Sequence, residues 1–312
     1  MFRWLSLFVL AAVALPTAAQ SLPPIYDKTP KAIRQATVLA EFPPQTFLEN
    51  IALDKSGNMV INSYLDGKVY KVNQTGKKVE WSTVDGKIAG LLVNQDGSAF
   101  VSGWVKGSEP AVFAIDASGK SEVFAKLEQG MFPNGMLRLN AKDILVVDSY
   151  KGVIWRIDTK NKQVSTWLKD ALLERGDSNN PTPAVNGIKS YHGDVYLSNT
   201  AKQTLLKVTV QKGEAKSITV VMDQIGLDDF DFDHQGTLYG ATHVYNSLVS
   251  VAKNGKVTVI AGLEEGMAGS TAVATRINGK KISVFVTTNG GMSLPPAGGV
   301  QTAKVVKLDV SE

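Results

Sequence analysis

The sequence predicts an all-β protein, a six-bladed β-propeller of four-stranded antiparallel blades, and three observations carry that prediction. Six stretches share one grammar: an apolar alternating strand, a turn, a second strand, a polar pair and a third strand. Their first turns fall at Gly57, Gly97, near Lys142, and at Gly193, Gly236 and Gly279, a period of about 40 to 45 residues with several short strands each, as propeller blades have. Within each stretch apolar residues alternate with period two, as in Lys68-Val69-Tyr70-Lys71-Val72, which excludes helical repeats of similar length. The 312 residues, 44% hydrophobic and 20% charged with 28 Gly, have the composition of a folded globular chain and the length of one large all-β domain.

Taken in order, Arg3 precedes an apolar run from Leu5 to Leu15, followed by the small residues Thr17, Ala18 and Ala19. These three parts read as a secretory signal over residues 1–19, cleaved after Ala19. A run of about 11 apolar residues is short of the ~20 that span a bilayer. The expectation is therefore a periplasmic or secreted protein without stable membrane insertion. Residues 20–34 form a lead, and 35–312 form the propeller. Gln35 to Phe42 is an apolar strand upstream of the first repeat. An open ring would leave unpaired edges, so this strand is expected to close the ring by pairing with the last blade at Ala303 to Val310.

The repeats then begin at Glu49, Gly90, Asn134, Asn186, Asp228 and Ser270. One spacing, from Lys142 to Gly193, is stretched to 51 residues. Its cause is LKDALLERGDSNNPTPA between Trp167 and Val185, where Ala171 to Arg175 suit one helical turn before a polar, Pro-containing loop. The insertion reads either as part of a lid over one face or as a tolerated surface loop.

Composition also excludes functions. With no Cys there is no disulfide scaffold, Cys nucleophile, thiolate zinc or iron–sulfur cluster. The net charge of +4 comes from basic residues dotted singly, so no nucleic-acid partner is expected. Of the three His, His192 and His234 lie in predicted turns and are expected to be solvated. His243 is the one imidazole placed for acid–base work.

In a propeller the innermost strands line a central channel, and a ligand site is most easily built from residues at their starts. Those positions are polar in four repeats: Glu49, Asn134, Asn186 and Asp228. The second and sixth repeats offer small residues near Ala89 and Ser270. Glu49, Asn186 and Asp228 agree in register. Asn134 is out of step with Leu137 and Leu139, which points to a bulge. Two carboxylates and two amide oxygens meeting on the axis form an oxygen-only set that suits a hard divalent cation such as Ca²⁺ and does not suit zinc. Each residue alone is also explained as a turn former; the metal reading rests on their convergence.

A second aligned column lies at the far end of the next strand: Tyr64, Trp104, Tyr150, Thr200, His243 and Asn289, preceded by small or polar residues such as Ser149 and Asn199. If the inner strands open on that face, the column rims a small-molecule pocket; the alternative is a packing column. The candidate substrate-binding residues are Tyr64, Trp104, Phe132, Tyr150, Asn199, His243 and Asn289, and the candidate catalytic residues are Asp228 and His243.

These repeats resemble the regucalcin/gluconolactonase family of six-bladed propellers, which is related to strictosidine synthase, over nearly all of the mature chain. The resemblance implies a divalent ion held by Glu49, Asn134, Asn186 and Asp228. The segments NGM with VDSYKGVIWRID, VNGI with SNT, LDDF with YGAT, and FVTTNGG are similar to a branch, rich in fungal proteins, that includes pericyclase-like members. Lactonases of the family carry an Arg two residues before the third-blade Asn; Phe132 stands there here. Together with the aromatic rim, that replacement points to a substrate less polar than a sugar lactone. The leading expectation is a Ca²⁺-assisted hydrolase of a lactone or ester. A small-molecule binding protein or non-hydrolytic catalyst is the second, and an interaction scaffold the third.

Overall fold

A computed structural model describes residues 22–106, 108–177 and 179–310; the predicted signal segment lies outside them. The described residues form six four-stranded antiparallel sheets, with no α-helix and two short 3₁₀ turns among them. The first strands of the sheets, taken in order, are Leu48–Leu53, Gly86–Val93, Pro133–Arg138, Val185–Tyr191, Phe230–Phe232 and Ser270–Asn278. Each contacts the next, and the sixth contacts the first, so they close a ring around one axis. The chain is a six-bladed β-propeller.

The sixth blade draws on both ends of the chain. Ala36–Phe42 lies outermost against Ala303–Asp309, with Ala36 opposite Leu308 and Phe42 opposite Ala303. The lead just upstream is held on the fifth blade, where Ala32 N donates to Val259 O at 2.9 Å and Arg34 N to Ile260 O at 2.8 Å. Tyr26 packs edge-on against Tyr245, ring centroids 5.0 Å apart.

The core is divided among the blade-to-blade interfaces. Between the third and fourth blades, Leu145, Val147 and Ile154 meet Ile188, Leu197 and Leu206, all buried. Second strands are covered on both faces, which is why Asp143–Asp148 carries an unbroken apolar run from Ile144 to Val147, whereas an outermost strand such as Lys78–Thr83 is mostly exposed.

Two features of the inner strands position the site. The bulge expected at Asn134 is present, and it is a general device: register shifts fall at Leu48/Asn50, Ile88/Leu91, Pro133/Met136, Val185/Ile188 and Ser270/Ala272. A bulge leaves its extra residue unpaired and re-aims the side chain. Glu49, Asn134 and Asn186 all stand at such shifts. Below them, in each of four blades the second strand, or the residue just after it, ties the next blade's inner strand, or the residues just before it, to itself. Asn62 Nδ2 donates to Ala89 O at 2.9 Å, Ser102 Oγ to Asn134 O at 2.6 Å, Ser149 Oγ to Val185 O at 2.6 Å and Ser198 Oγ to Asp228 O at 2.8 Å. Thr271 Oγ1, on the sixth inner strand, continues this from blade six to Leu48 O at 2.8 Å. These bonds satisfy buried carbonyls and fix the spacing of the residues that face the axis.

Candidate functional site

At the mouth of the channel, four polar side chains from the third to the sixth blades and one ring nitrogen pair form a directed chain. Asn134 Nδ2 donates to Asn186 Oδ1 at 2.7 Å, and Asn186 Nδ2 donates to Asp228 Oδ1 and, at 3.2 Å, to Thr200 Oγ1. The other carboxylate oxygen, Asp228 Oδ2, lies 2.9 Å from His243 Nδ1. It is buried and has no aligned hydrogen bond; the short distance marks proximity to the imidazole, with the N–H directed off the oxygen. His243 Nε2 is 2.9 Å from Asn289 Nδ2.

The direction of the last link is fixed by the backbone. Asn289 Oδ1 accepts from Gly291 N at 2.9 Å and Met292 N at 3.1 Å, so its NH₂ faces His243. Nε2 is then the acceptor, and Nδ1, the ring nitrogen on the Asp228 side, is the one that carries hydrogen. His243 holds this position with φ of 48°.

Glu49 completes the axial set from the first blade. Its carboxyl is held well above the ordinary 4.5, first by burial and then by the like charges of Asp228 and Asp229. Asp229 is paired with Lys189, whose Nζ lies 2.7 and 2.8 Å from its two oxygens. That cation is thereby engaged, and burial still raises the Asp229 pKa, against Lys189.

A pH dependence follows. Native Glu49 keeps its proton above 4.5, where the unfolded chain has lost it, so the folded state binds more protons and stability falls as pH rises. Metal-free protein is expected to melt at progressively lower temperature as the pH is raised above the ordinary carboxyl value of 4.5. Glu49→Gln should flatten that decline; an identical decline in both proteins would show that Glu49 is not its source.

The first three blades present aromatic rings instead. Phe132 packs against Trp104 and Tyr150 at centroid distances of 4.9 Å each, Trp104 against Tyr64 at 6.0 Å, Tyr64 against Phe47 at 5.4 Å, and Phe47 against His243 at 6.0 Å. The Tyr64 hydroxyl is raised to about 12 by burial, then by Glu49 and Tyr150; it is a donor throughout the physiological range. Asp148, fully buried, fixes this wall by accepting from Met131 N at 2.8 Å and Phe132 N at 2.9 Å.

The structure thus brings together Glu49, Asn134, Asn186, Asp228 and His243 on the polar side, and Tyr64, Trp104, Phe132 and Tyr150 on the aromatic side. Two residues expected to touch substrate stand behind them. Asn199 is fully buried and donates to Leu172 O at 2.8 Å and Glu174 O at 3.1 Å, so it holds the insertion. Asn289, also fully buried, is occupied in fixing His243. His192 and His234 are exposed in turns. Phe47, Asp148 and Asp229 were outside the expected set: Phe47 lies in the connection before the first inner strand, where no repeat column reaches. The run LDDF gave the only sequence signal for Asp229.

No protein-family model matches this chain, and no curated protein does. Solved structures do. Regucalcin from Agrobacterium tumefaciens, a calcium-binding protein, is 17% identical with a TM-score of 0.66, covering 91% of this chain and 96% of its own. A gluconolactonase from Xanthomonas campestris is 13% identical with a TM-score of 0.61, covering 88% and 89%. Virginiamycin B lyase from Staphylococcus aureus is 13% identical with a TM-score of 0.57, covering 88% and 98%. At these identities the likeness is one of fold: this chain has the propeller architecture that those enzymes and that calcium-binding protein share.

Proposed function

We propose that this protein is an exported small-molecule enzyme that hydrolyses a lactone or ester less polar than a sugar lactone, at the channel mouth, with a divalent cation, Ca²⁺, held by Glu49, Asn134, Asn186 and Asp228. The observation that carries the reading is a pair of carboxyl groups, buried Asp228 and half-buried Glu49, that among the described residues no Lys or Arg pairs with. Asp228 Oδ2 is buried without an aligned hydrogen bond, and Glu49 is forced toward its neutral form beside it. Among the described residues no group of three or more His, Cys, Asp or Glu gathers for an ion; two of the four donors here are amides, and an all-oxygen set of this kind fits Ca²⁺. When bound, such an ion polarises a carbonyl and offsets developing negative charge.

The chain's own residues do the rest. Asp228 takes the proton as water oxygen attacks the carbonyl carbon. The carbonyl-to-alkoxy bond then breaks, and the proton passes from Asp228 to the departing alkoxide. Asn186 holds one Asp228 oxygen in place, and His243, its ring set by Asn289, lies against the other. Tyr64 donates toward substrate oxygen, and the aromatic wall excludes water from the apolar part of the substrate.

A second reading, a non-hydrolytic catalyst or binding protein, is favoured by Phe132, an aromatic side chain where a sugar-lactone hydrolase would need a polar clamp. Lactones and aryl esters assayed with Ca²⁺, with chelator, and after Ca²⁺ is returned separate the two. Hydrolysis lost to chelator and restored by Ca²⁺ is expected. Ligand binding without hydrolysis in any condition would leave the second reading standing. Export with removal of residues 1–19 is part of the proposal, and the mass of the chain recovered from an exporting host decides it; among the described residues no helix is long and apolar enough to cross a membrane.

A further inference from the structure

The insertion that stretches one repeat lies on the aromatic side of the mouth and brings one cation to it. Its 3₁₀ turn, Ala171–Leu173, is capped by Asp170, whose Oδ1 accepts from Leu172 N at 2.8 Å, and anchored by the fully buried Leu173. Asn199 grips the backbone on either side of Leu173, and the Tyr150 hydroxyl donates to Pro181 O at 2.8 Å. Arg175 is held as a result. Its guanidinium stacks on the Tyr150 ring, 4.4 Å from the centroid, and Nη1 donates to Asn180 O at 2.7 Å.

That bond uses one of five N–H donors, and among the described residues no carboxylate pairs with this half-buried guanidinium. A planar fork set at the end of a wall of rings matches a carboxylate carried on a flat apolar body, since the carboxylate is bound bidentately and the body packs on the ring faces. The wall, Phe47, Tyr64, Trp104, Phe132 and Tyr150, leads from Arg175 back to His243 beside Asp228. We propose that the substrate is a planar, apolar-bodied carboxylate: Arg175 binds its carboxylate at the rim, the rings hold its body, and the reacting group lies at the axis. This rests on the reading of the mouth as a substrate site and narrows it to one chemical class.

The test is calorimetric titration of the Ca²⁺-loaded protein with 2-naphthoate and its neutral, non-hydrolysable counterpart 2-naphthamide, using wild type, Arg175→Gln and Arg175→Lys. Wild type is expected to bind the carboxylate about 10-fold more tightly than the amide, the scale of one charge-assisted bidentate contact. Arg175→Gln should remove the preference and leave amide binding unchanged, and Arg175→Lys should restore only part of it, having charge without the fork. Equal binding of the two probes by wild type, equal weakening of both by Arg175→Gln, or binding of neither overturns the proposal. An Arg175-dependent preference in a protein that hydrolyses no ester leaves this inference standing while the hydrolase reading falls. Ester hydrolysis without the preference does the reverse.

Discussion

Asp228→Asn is expected to lower the rate of metal-dependent hydrolysis by about 10² to 10⁴, the range supplied by a positioned general base, and to weaken Ca²⁺ binding in calorimetric titration. The substitution removes one negative charge and the proton acceptor together. Its effect extends further because every neighbour is oriented. Asn186 donates to Oδ1, so the new amide must keep its oxygen there and turn its NH₂ toward His243 Nδ1, which also carries hydrogen. Moving the imidazole proton to Nε2 would relieve that clash and create another, because Asn289 presents its NH₂ there and its oxygen is pinned by Gly291 N and Met292 N. A protein with Asn at this position has no arrangement of these amides and the ring that satisfies them all. Asp228→Asn with wild-type rate and wild-type Ca²⁺ affinity would remove Asp228 from the mechanism.

The propeller was legible because its repeat is written at two scales, period two within strands and about 40 to 45 residues between turns. The axial residues were legible for the same reason: a position that faces the axis in one blade faces it in the others. Where that reasoning stopped is equally physical. The sequence offered a bulge only at Asn134, whose neighbours break alternation visibly; at Glu49 and Asn186 the apolar pattern resumes on the same face, and hydrogen-bond register alone reveals the shift. Asn199 stands just before the column that rims the mouth, yet it was captured by carbonyls of the insertion, a partnership between an irregular segment and a repeat that no periodicity encodes. The link from Asp228 through His243 to Asn289 joins the fifth and sixth blades and depends on the left-handed backbone at His243.

The glycines that follow the axial residues carry the other large effect. Gly90 packs where the third blade's inner strand approaches the second. A Cβ there would lie 2.1 Å from Asn134 O, a backbone atom, and 2.4 Å from Ser102 Oγ. Ser102 Oγ is also the link between the blades, accepting from Gly90 N at 3.0 Å and donating to Asn134 O at 2.6 Å. Gly90→Ala must therefore separate the strands or expel the hydroxyl, which adds overpacking of about 1–3 kcal/mol to an unsatisfied buried carbonyl of about 1–3 kcal/mol. A loss of roughly 4 kcal/mol is expected in denaturant melts. Gly193→Ala is the control. That glycine has φ of 85° and nothing within 4 Å of the added carbon, so only the left-handed backbone opposes the methyl, at about 1–2 kcal/mol. The two variants should differ at the site as well. Pushing on Asn134 O moves the residue whose amide begins the chain to Asp228, so Gly90→Ala should also bind Ca²⁺ more weakly under conditions where it remains folded, while Gly193→Ala, in a turn of the fourth blade, should bind it as wild type does. Equal stability of the two variants would mean that the blades yield at this contact, and the spacing of the axial residues would then have to be set elsewhere than in the hydrogen bonds beneath them.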